Sequence, residues 1–276
     1  VDYDQKSSHH PLWSIIRLHL SLRSNIDTVL CLIDVKKAYV RTSNYTPDGH
    51  RAIIKLPSDA YYTDDSGSVW THMVVVSALY GQVNAGYLWQ QCLWKHLQST
   101  GWSQSVELCT FTRNNSRIVI WTDDIIFRGP ASERDQFIQD TNTRFPGCSV
   151  TDGSKILGHR IIANDTGGYS ISGSELIADL ATKYQVSGTK KTPLPASIKI
   201  RPAQPSDTTP AITKEYQQIV GSLNYLATTC RPDIAYSTSA LGQALQYPSA
   251  THLRYAKHTL SYLVNTSNYH VQYDHV

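Results

Sequence analysis

The sequence predicts an α+β fold, with strands and helices mixed in its first part and helices alone in its last. Three observations carry this prediction. A near-continuous apolar run at 29–35 and two shorter β-rich runs at 117–121 and 125–128 read as strands. Apolar residues recur at helical spacing around 11–23 and 85–97. A proline-rich stretch at 187–213 is followed by helical periodicity only.

A chain of 276 residues with 41% hydrophobic content can bury a full core, as one large or two modest domains. No apolar run approaches the roughly 18 residues that span a bilayer, and residues 1–5 do not read as a signal peptide. The expected location is therefore intracellular, cytoplasm or nucleus, with no membrane partner. The five cysteines lack paired short spacings and are odd in number, so they read as reduced core residues. A net charge of +3 permits nucleic-acid binding without advertising it. Val1 as the first residue suits a processed polyprotein product, a trimmed chain or an incomplete sequence.

In chain order, Leu12, Ile15, Ile16 and Leu20 define a helix over 11–23, with Pro11 where a first-turn proline is tolerated. The run 29–35 has the continuous apolar character of a strand covered on both faces and delivers Asp34 near its end. Turn signals follow at Thr46-Pro47-Asp48-Gly49 and Asp64-Asp65-Ser66-Gly67. Ala85, Leu88, Trp89, Cys92, Leu93, His96 and Leu97 share one face of a second helix ended by Gly101. The runs 117–121 and 125–128, separated by Thr122-Asp123-Asp124, read as a hairpin with two carboxylates at its tip, closed by Gly129-Pro130. Ser132 and Asp135 suggest a capping box opening a helix that Pro146-Gly147 stops. A further hairpin at 156–171 turns at 165–168. Five of the 12 prolines lie at 193, 195, 202, 205 and 210, so 187–213 is the expected linker. Beyond it, Tyr216, Ile219, Val220 and Leu223, then 233–246 entered through Pro232, then Leu253, Ala256, Leu260 and Leu263 mark three helices.

Paired aspartates at a turn are usually turn formers, because Asp bonds its own backbone readily. An additional acid at the end of a buried strand changes the reading, since buried carboxylates are costly unless they hold cations. Asp34, Asp123 and Asp124 would suit two magnesium ions about 4 Å apart, which is the chemistry of nucleotidyl transfer.

The motifs then become specific. Ile33-Asp34-Val35-Lys36-Lys37-Ala38-Tyr39 resembles the first polymerase motif of copia-type LTR retrotransposon reverse transcriptases, and Trp121-Thr122-Asp123-Asp124 resembles their Tyr-x-Asp-Asp motif. Ser77-Ala78-Leu79-Tyr80-Gly81-Gln82-Val83-Asn84-Ala85 with Trp89 is similar to the family's Ser-Leu-Tyr-Gly-Leu-Lys-Gln-Ala phrase and its following Trp. Downstream, Leu157-Gly158-His159-Arg160-Ile161 resembles the primer-grip hairpin, and Gly221-Ser222-Leu223-Asn224-Tyr225-Leu226 and Thr229-Cys230-Arg231-Pro232-Asp233-Ile234-Ala235-Tyr236 extend the match. Val1-Asp2-Tyr3-Asp4 resembles the phrase ahead of the first motif, so the resemblance spans essentially the whole chain.

The resemblance implies a reverse-transcriptase palm with partial fingers, followed by a helical thumb or connection region. It divides the chain into fingers remnant, palm and primer-grip region at 1–186, a linker at 187–213 and the helical region at 214–276. It implies Asp34, Asp123 and Asp124 as catalytic metal ligands for two Mg2+ ions, and Val35, Tyr39, Tyr80, Gly81 and Gln82 at the nucleotide, with Tyr39 as the gate under the sugar. Leu157 and Gly158 would meet the primer. The implied partners are an RNA/DNA primer-template and deoxynucleoside triphosphates. The polymerase core would lack RNase H and the N-terminal part of the fingers.

Some positions depart from the family. Val83, Gly86 and Tyr87 stand where Lys and Pro-Arg are usual, and Ser261 and Val264 stand at usually basic positions of the last helix. Phosphate neutralisation supplies most non-specific affinity, so the expectation is weakened template binding. The rival expectation is a domesticated, non-catalytic protein that acts as a structural subunit or nucleic-acid-binding scaffold in a larger protein or ribonucleoprotein assembly. His9 and His10, with no partner in the sequence, are expected to be solvated surface.

Overall fold

The computed structural model describes residues 8–22, 28–42, 53–151, 155–164 and 168–273. The turn expected at 46–49, the tip of the 165–168 hairpin and the phrase at 1–4 lie outside the described residues, apart from Gly168. The chain divides into two compact units, Val1–Ile16 with Ser24–Asp152 and Arg17–Arg23 with Gly153–Val276. The helix expected at 11–23 is observed as α1, Trp13–Ser21. Among the described residues no helix is long and apolar enough to cross a membrane.

The first unit is built on a six-stranded sheet. Its strands are β1 (Val29–Val35), β6 (Ser103–Gln104), β7 (Thr110–Arg113), β8 (Ser116–Trp121), β9 (Asp124–Gly129) and β10 (Cys148–Val150). The order is β10-β1-β9-β8-β7-β6, with antiparallel pairing throughout. One face carries Ile33, Val35, Phe111, Ile118, Ile125 and Phe127 into a core shared with Trp89, Leu93 and Leu97 of α2 (Ala85–Ser99) and Phe137 of α3 (Ala131–Arg144). Each such side chain contributes about 1.5–3 kcal/mol of burial, so the packing fixes α2 against the sheet. The apolar run of β1 suggested cover on both faces, yet Leu30 and Asp34 remain only half-buried.

α2 ends in a Schellman motif, with the Trp102 amide donating to Leu97 O and the Gly101 amide to Gln98 O while Gly101 takes φ +86. α3 differs from expectation at its start. Ala131 is its first residue, the Pro130 carbonyl accepts from the Glu133 and Arg134 amides, and Asp135 bonds Arg134, so the Ser132 capping box does not form. Two small ribbons complete the unit, β2 (Ile53–Lys55) with β5 (His72–Val74) and β3 (Tyr62–Thr63) with β4 (Val69–Trp70). The second turns on Asp64, whose carboxylate accepts from the Ser66 and Ser68 amides and from Trp70 Nε1, as the turn signal there predicts.

The second unit joins a four-stranded sheet to helices. The sheet order is β11-β12-β13-β14, from β11 (Lys155–Ile156), β12 (His159–Ala163), β13 (Tyr169–Ser172) and β14 (Val271–Tyr273). α4 (Ser174–Tyr184) packs on α7 (Ala250–Asn265), and α5 (Pro210–Thr229) packs on α6 (Ala235–Gly242) and α7. Tyr216, Ile219, Val220, Leu223, Ala256, Leu260 and Leu263 are buried, as their periodicity predicts. α5 has the expected entry, Thr209 capping the Ile212 amide with Pro210 in the first turn.

The division between units falls at 152/153, whereas the sequence placed a linker at 187–213. The first part of that proline-rich stretch, 187–193, lies along α7. The Ser187 carbonyl accepts from Ser261 Oγ, the Pro193 carbonyl from Thr259 Oγ1 at 2.9 Å, the Lys190 carbonyl from Asn265 Nδ2 at 3.1 Å, and Thr192 O meets His258 Nε2 at 3.0 Å. Side chains of the helix thus satisfy carbonyls that 187–193 leaves without a ladder partner. Ser261 is consequently buried, and the expectation that it lies on a vacated basic face does not hold.

Candidate active site

The antiparallel register brings two of the three expected acids face to face. Asp34 of β1 is the Cα partner of Asp124 of β9, while Asp124 also pairs with Trp121 of β8, leaving Thr122 and Asp123 as a two-residue turn. Directly opposed residues share one face of the sheet with Cβ atoms about 4.5–5.5 Å apart, and like charges there are destabilising. Asp123 sits at the tip, its carbonyl accepting from the Val35 amide at 3.3 Å. This contact ties Val35, expected at the nucleotide, to the aspartate turn.

All three acids are half-buried. Burial first, and then the charges of Asp123 and Asp34, push the Asp124 carboxyl up to about 6. Asp123 is raised as well, first by burial and then by Asp34, against a lowering backbone hydrogen bond. The cluster therefore carries repulsion that a cation would relieve.

The turn is held from outside. Thr122 takes φ +58, a conformation that β-branched residues rarely adopt, at a cost on the order of 1–3 kcal/mol. The fully buried Trp89 of α2 donates from Nε1 to Thr122 O at 2.7 Å, and His10 Nε2 lies 3.2 Å from Thr122 Oγ1. The His10 ring also packs 5.0 Å from Trp121. His9 is clasped by Gln90, its amide donating to Oε1 at 2.9 Å and its carbonyl accepting from Nε2 at 2.7 Å, while its ring stacks on Trp94. Both histidines are exposed, as expected, and the contacts that dock them on α2 and on the turn are what the sequence did not show. No local signal could have revealed contacts made across such sequence separations.

Tyr39 and Tyr80 are brought together, their rings 4.8 Å apart and inclined by 53°. Tyr39 begins a short 3-10 turn after β1, and its hydroxyl is raised by burial, then by the charges of Asp123 and Tyr80, which places it in the field of the acids. Gly81 takes φ +88 at the third position of a turn closed by the Gln82 amide on Leu79 O at 3.1 Å, a type II geometry that needs glycine. Gln82 Nε2 donates to Asn84 Oδ1, the N-cap residue of α2.

Leu157 and Gly158 belong to the second unit. With φ +50 and +79 they form the two-residue turn between β11 and β12, the both-positive pattern of a type I′ hairpin, and Leu157 O accepts from the Tyr225 hydroxyl.

Among the described residues no three His, Cys, Asp or Glu side chains already close around one ion. The donor set nonetheless fits magnesium, a hard cation that binds through one or two carboxylates and completes its shell with water and substrate phosphates. The opposed, mutually destabilised pair Asp34 and Asp124 is the observation that supports this fit.

The sequence matches the family described as reverse transcriptase (RNA-dependent DNA polymerase) over residues 1–197. It is similar to a transposon Ty5-1 protein of Saccharomyces cerevisiae, 26% identical over 252 residues that cover 87% of this chain and 78% of that protein. It is also similar to the Retrovirus-related Pol polyprotein from transposon RE1 of Arabidopsis thaliana, 31% identical over 202 residues, 70% of this chain and 13% of the polyprotein. The chain thus spans a small part of that polyprotein. Among solved structures, telomerase from Candida albicans with a telomeric RNA fragment is 10% identical, with 92% of this chain and 48% of that chain covered, at a TM-score of 0.29 that defines no shared fold.

Proposed function

The chain belongs to the reverse transcriptase (RNA-dependent DNA polymerase) family, of the copia type of LTR retrotransposons, and on that premise we propose that it is an RNA-directed DNA polymerase core. The observation that carries the proposal is the register of Asp34 opposite Asp124 with Asp123 at the adjoining turn. A purely structural sheet would gain by replacing one of two opposed, half-buried carboxylates, so the pair speaks against the non-catalytic scaffold.

In this reading Asp34, Asp123 and Asp124 hold two magnesium ions. When bound, magnesium supplies activation of a primer 3′-hydroxyl and neutralisation of phosphate charge. The protein's own contribution is placement. Trp89 and His10 fix Thr122 and so aim Asp123, and the Val35 amide holds the Asp123 carbonyl. The Tyr39 and Tyr80 ring pair offers a surface beneath a nucleotide sugar, with Tyr39 excluding a 2′-hydroxyl. The Gly81 turn, where an added Cβ would meet nothing within 4 Å, leaves backbone open to close approach, with Gln82 beside it. Leu157 and Gly158 present a hairpin tip to the primer strand of an RNA/DNA primer-template. A reverse-transcriptase palm with partial fingers and a helical thumb or connection is the corresponding architecture.

The test is primer extension on an RNA template by the wild-type chain and by Asp123→Ala. Extension should be lost in the variant while its thermal melt stays cooperative. Equal extension by both would overturn the catalytic assignment.

A further inference from the structure

The positive charge of the chain is unevenly placed. Nine of the 25 Lys and Arg lie within 183–258 with only three of the 22 Asp and Glu, so acids outnumber bases in the remainder despite the net +3. Much of that segment is the proline-rich stretch and the helix it lies along. Between 185–195 and α7 there is a cleft of about 370 Å³, into which Gln185, Lys190, Arg254, Lys257 and His258 face.

Lys190, Arg254 and the adjoining Lys191 are exposed, and none forms an ion pair among the described residues. Lys257 is different, bound to Glu215 at 2.7 Å, so part of its charge is already answered. Burial lowers the His258 pKa, against the Thr192 carbonyl at Nε2, which raises it, so the ring adds little positive charge of its own. The cleft therefore offers two cations without an ion pair, Lys190 and Arg254, with Lys191 beside it, on a frame fixed by the Ser261, Thr259 and Asn265 hydrogen bonds.

We infer that this cleft is a phosphate-binding site that grips the backbone of a nucleic-acid duplex. The cations are spread along an open surface, which suits a chain of phosphates held by counterion release better than one small anion. The inference rests on the proposed reading that the protein works on nucleic acid, and it relocates the basic grip. Cations absent at Ser261 and Val264 belong to a part of α7 that the 187–193 stretch covers, whereas those of the stretch itself and Arg254, nearer the start of the helix, remain outward.

The experiment measures fluorescence anisotropy of a labelled RNA–DNA hybrid against salt between about 50 and 200 mM, for the wild type, for Lys190→Glu/Lys191→Glu/Arg254→Glu, and for a Lys55→Glu control. The triple variant should bind at least about tenfold more weakly and flatten the log–log salt slope by about two to three, roughly 0.9 for each phosphate no longer neutralised. The control should change little. Unchanged affinity and slope in a triple variant with a wild-type thermal melt would overturn the inference. So would displacement of the hybrid by inorganic triphosphate at equimolar concentration, which would make the cleft a small-anion site. Asp123→Ala separates the two claims. If it abolishes extension while the triple variant binds normally, the cleft falls alone; if it extends normally while the triple variant loses binding, the catalytic reading falls and the cleft stands.

Discussion

Asp34 and Asp124 face each other as Cα partners across β1 and β9, at the end of the sheet where Asp123 turns the chain. An apolar ladder that places Ile33 against Ile125 and Leu32 against Ile126 ends in two like charges. The sheet is thus locally destabilised at the candidate site, and that cost can be measured.

The Asp124 carboxyl is raised from 3.8 to about 6, burial first and neighbouring acids second. A raised folded-state value means that the native state holds the proton more tightly. The associated stability is complete below about pH 3.8 and disappears as pH rises through 6. Metal-free protein should therefore gain from Asp124→Asn at pH 7, by about 1 kcal/mol once solvent screening is allowed for, with the gain vanishing near pH 4. Thermal melts at both pH values check this, and added Mg2+ should stabilise the wild type more than the variant. A variant less stable than the wild type at pH 7 would contradict the account.

Periodicity made β1, the β8–β9 hairpin, α2, α5 and α7 legible, because each buries one regular face. The acids were legible for a related reason, since Asp34 interrupts an apolar run and the gap between β8 and β9 fits only a tight turn. What failed was non-local. Prolines at 193 and 195 announce missing donors without saying that Thr259 and its neighbours would satisfy the carbonyls, so a strap on α7 read as a linker. His10 gave no sign of Thr122, and Ser132 offered a capping pattern that Pro130 pre-empted.

Thr122→Gly tests the strained turn. Glycine adopts φ +58 without penalty, so the fold should gain about 1 kcal/mol, less the contribution of the His10 hydrogen bond. Extension should fall in kcat with KM for nucleotide little changed, because the loosened turn misplaces Asp123. A variant both less stable and fully active would show that Thr122 is not held under strain.

Tyr39→Val tests the sugar gate. Removing one ring of the Tyr39 and Tyr80 pair opens space beneath the sugar, and incorporation of ribonucleotides relative to deoxynucleotides should rise by roughly 10-fold or more. The ratio is read from single-nucleotide extension. A constant ratio in an active variant would remove Tyr39 from the site.

Arg231 tests the frame of the second unit. It is 1% exposed, forks onto Asp233 at 2.9 and 2.7 Å, and donates to Thr266 O and Oγ1 at 3.0 and 2.7 Å. Although burial raises the Asp233 carboxyl, the Arg231 hydrogen bonds hold it below its ordinary value. Asp233 is exposed enough to be solvated, so Arg231→Met should cost about 1–3 kcal/mol in urea unfolding, chiefly through the Thr266 carbonyl left without its donor. A cost under about 1 kcal/mol would mean the pair is no brace.

Ser261 and Val83 both stand where the family usually has a cation, and the structure predicts opposite outcomes for restoring one. Ser261 is 5% exposed, its Oγ donating to Ser187 O and accepting from the Thr189 amide at 3.1 Å. Ser261→Arg must expel the strap or bury a guanidinium, so it should destabilise by about 1–3 kcal/mol and leave hybrid binding unimproved or weaker, since Lys190 would lose its frame. Val83 is 60% exposed on the approach to α2, so Val83→Lys should leave the melt unchanged. If that surface meets the duplex, its log–log salt slope steepens by about 0.9, the increment of one more neutralised phosphate. Tighter binding by Ser261→Arg at an unaltered melting temperature would show that the strap does not cover α7 there, and the phosphate cleft would lose its wall.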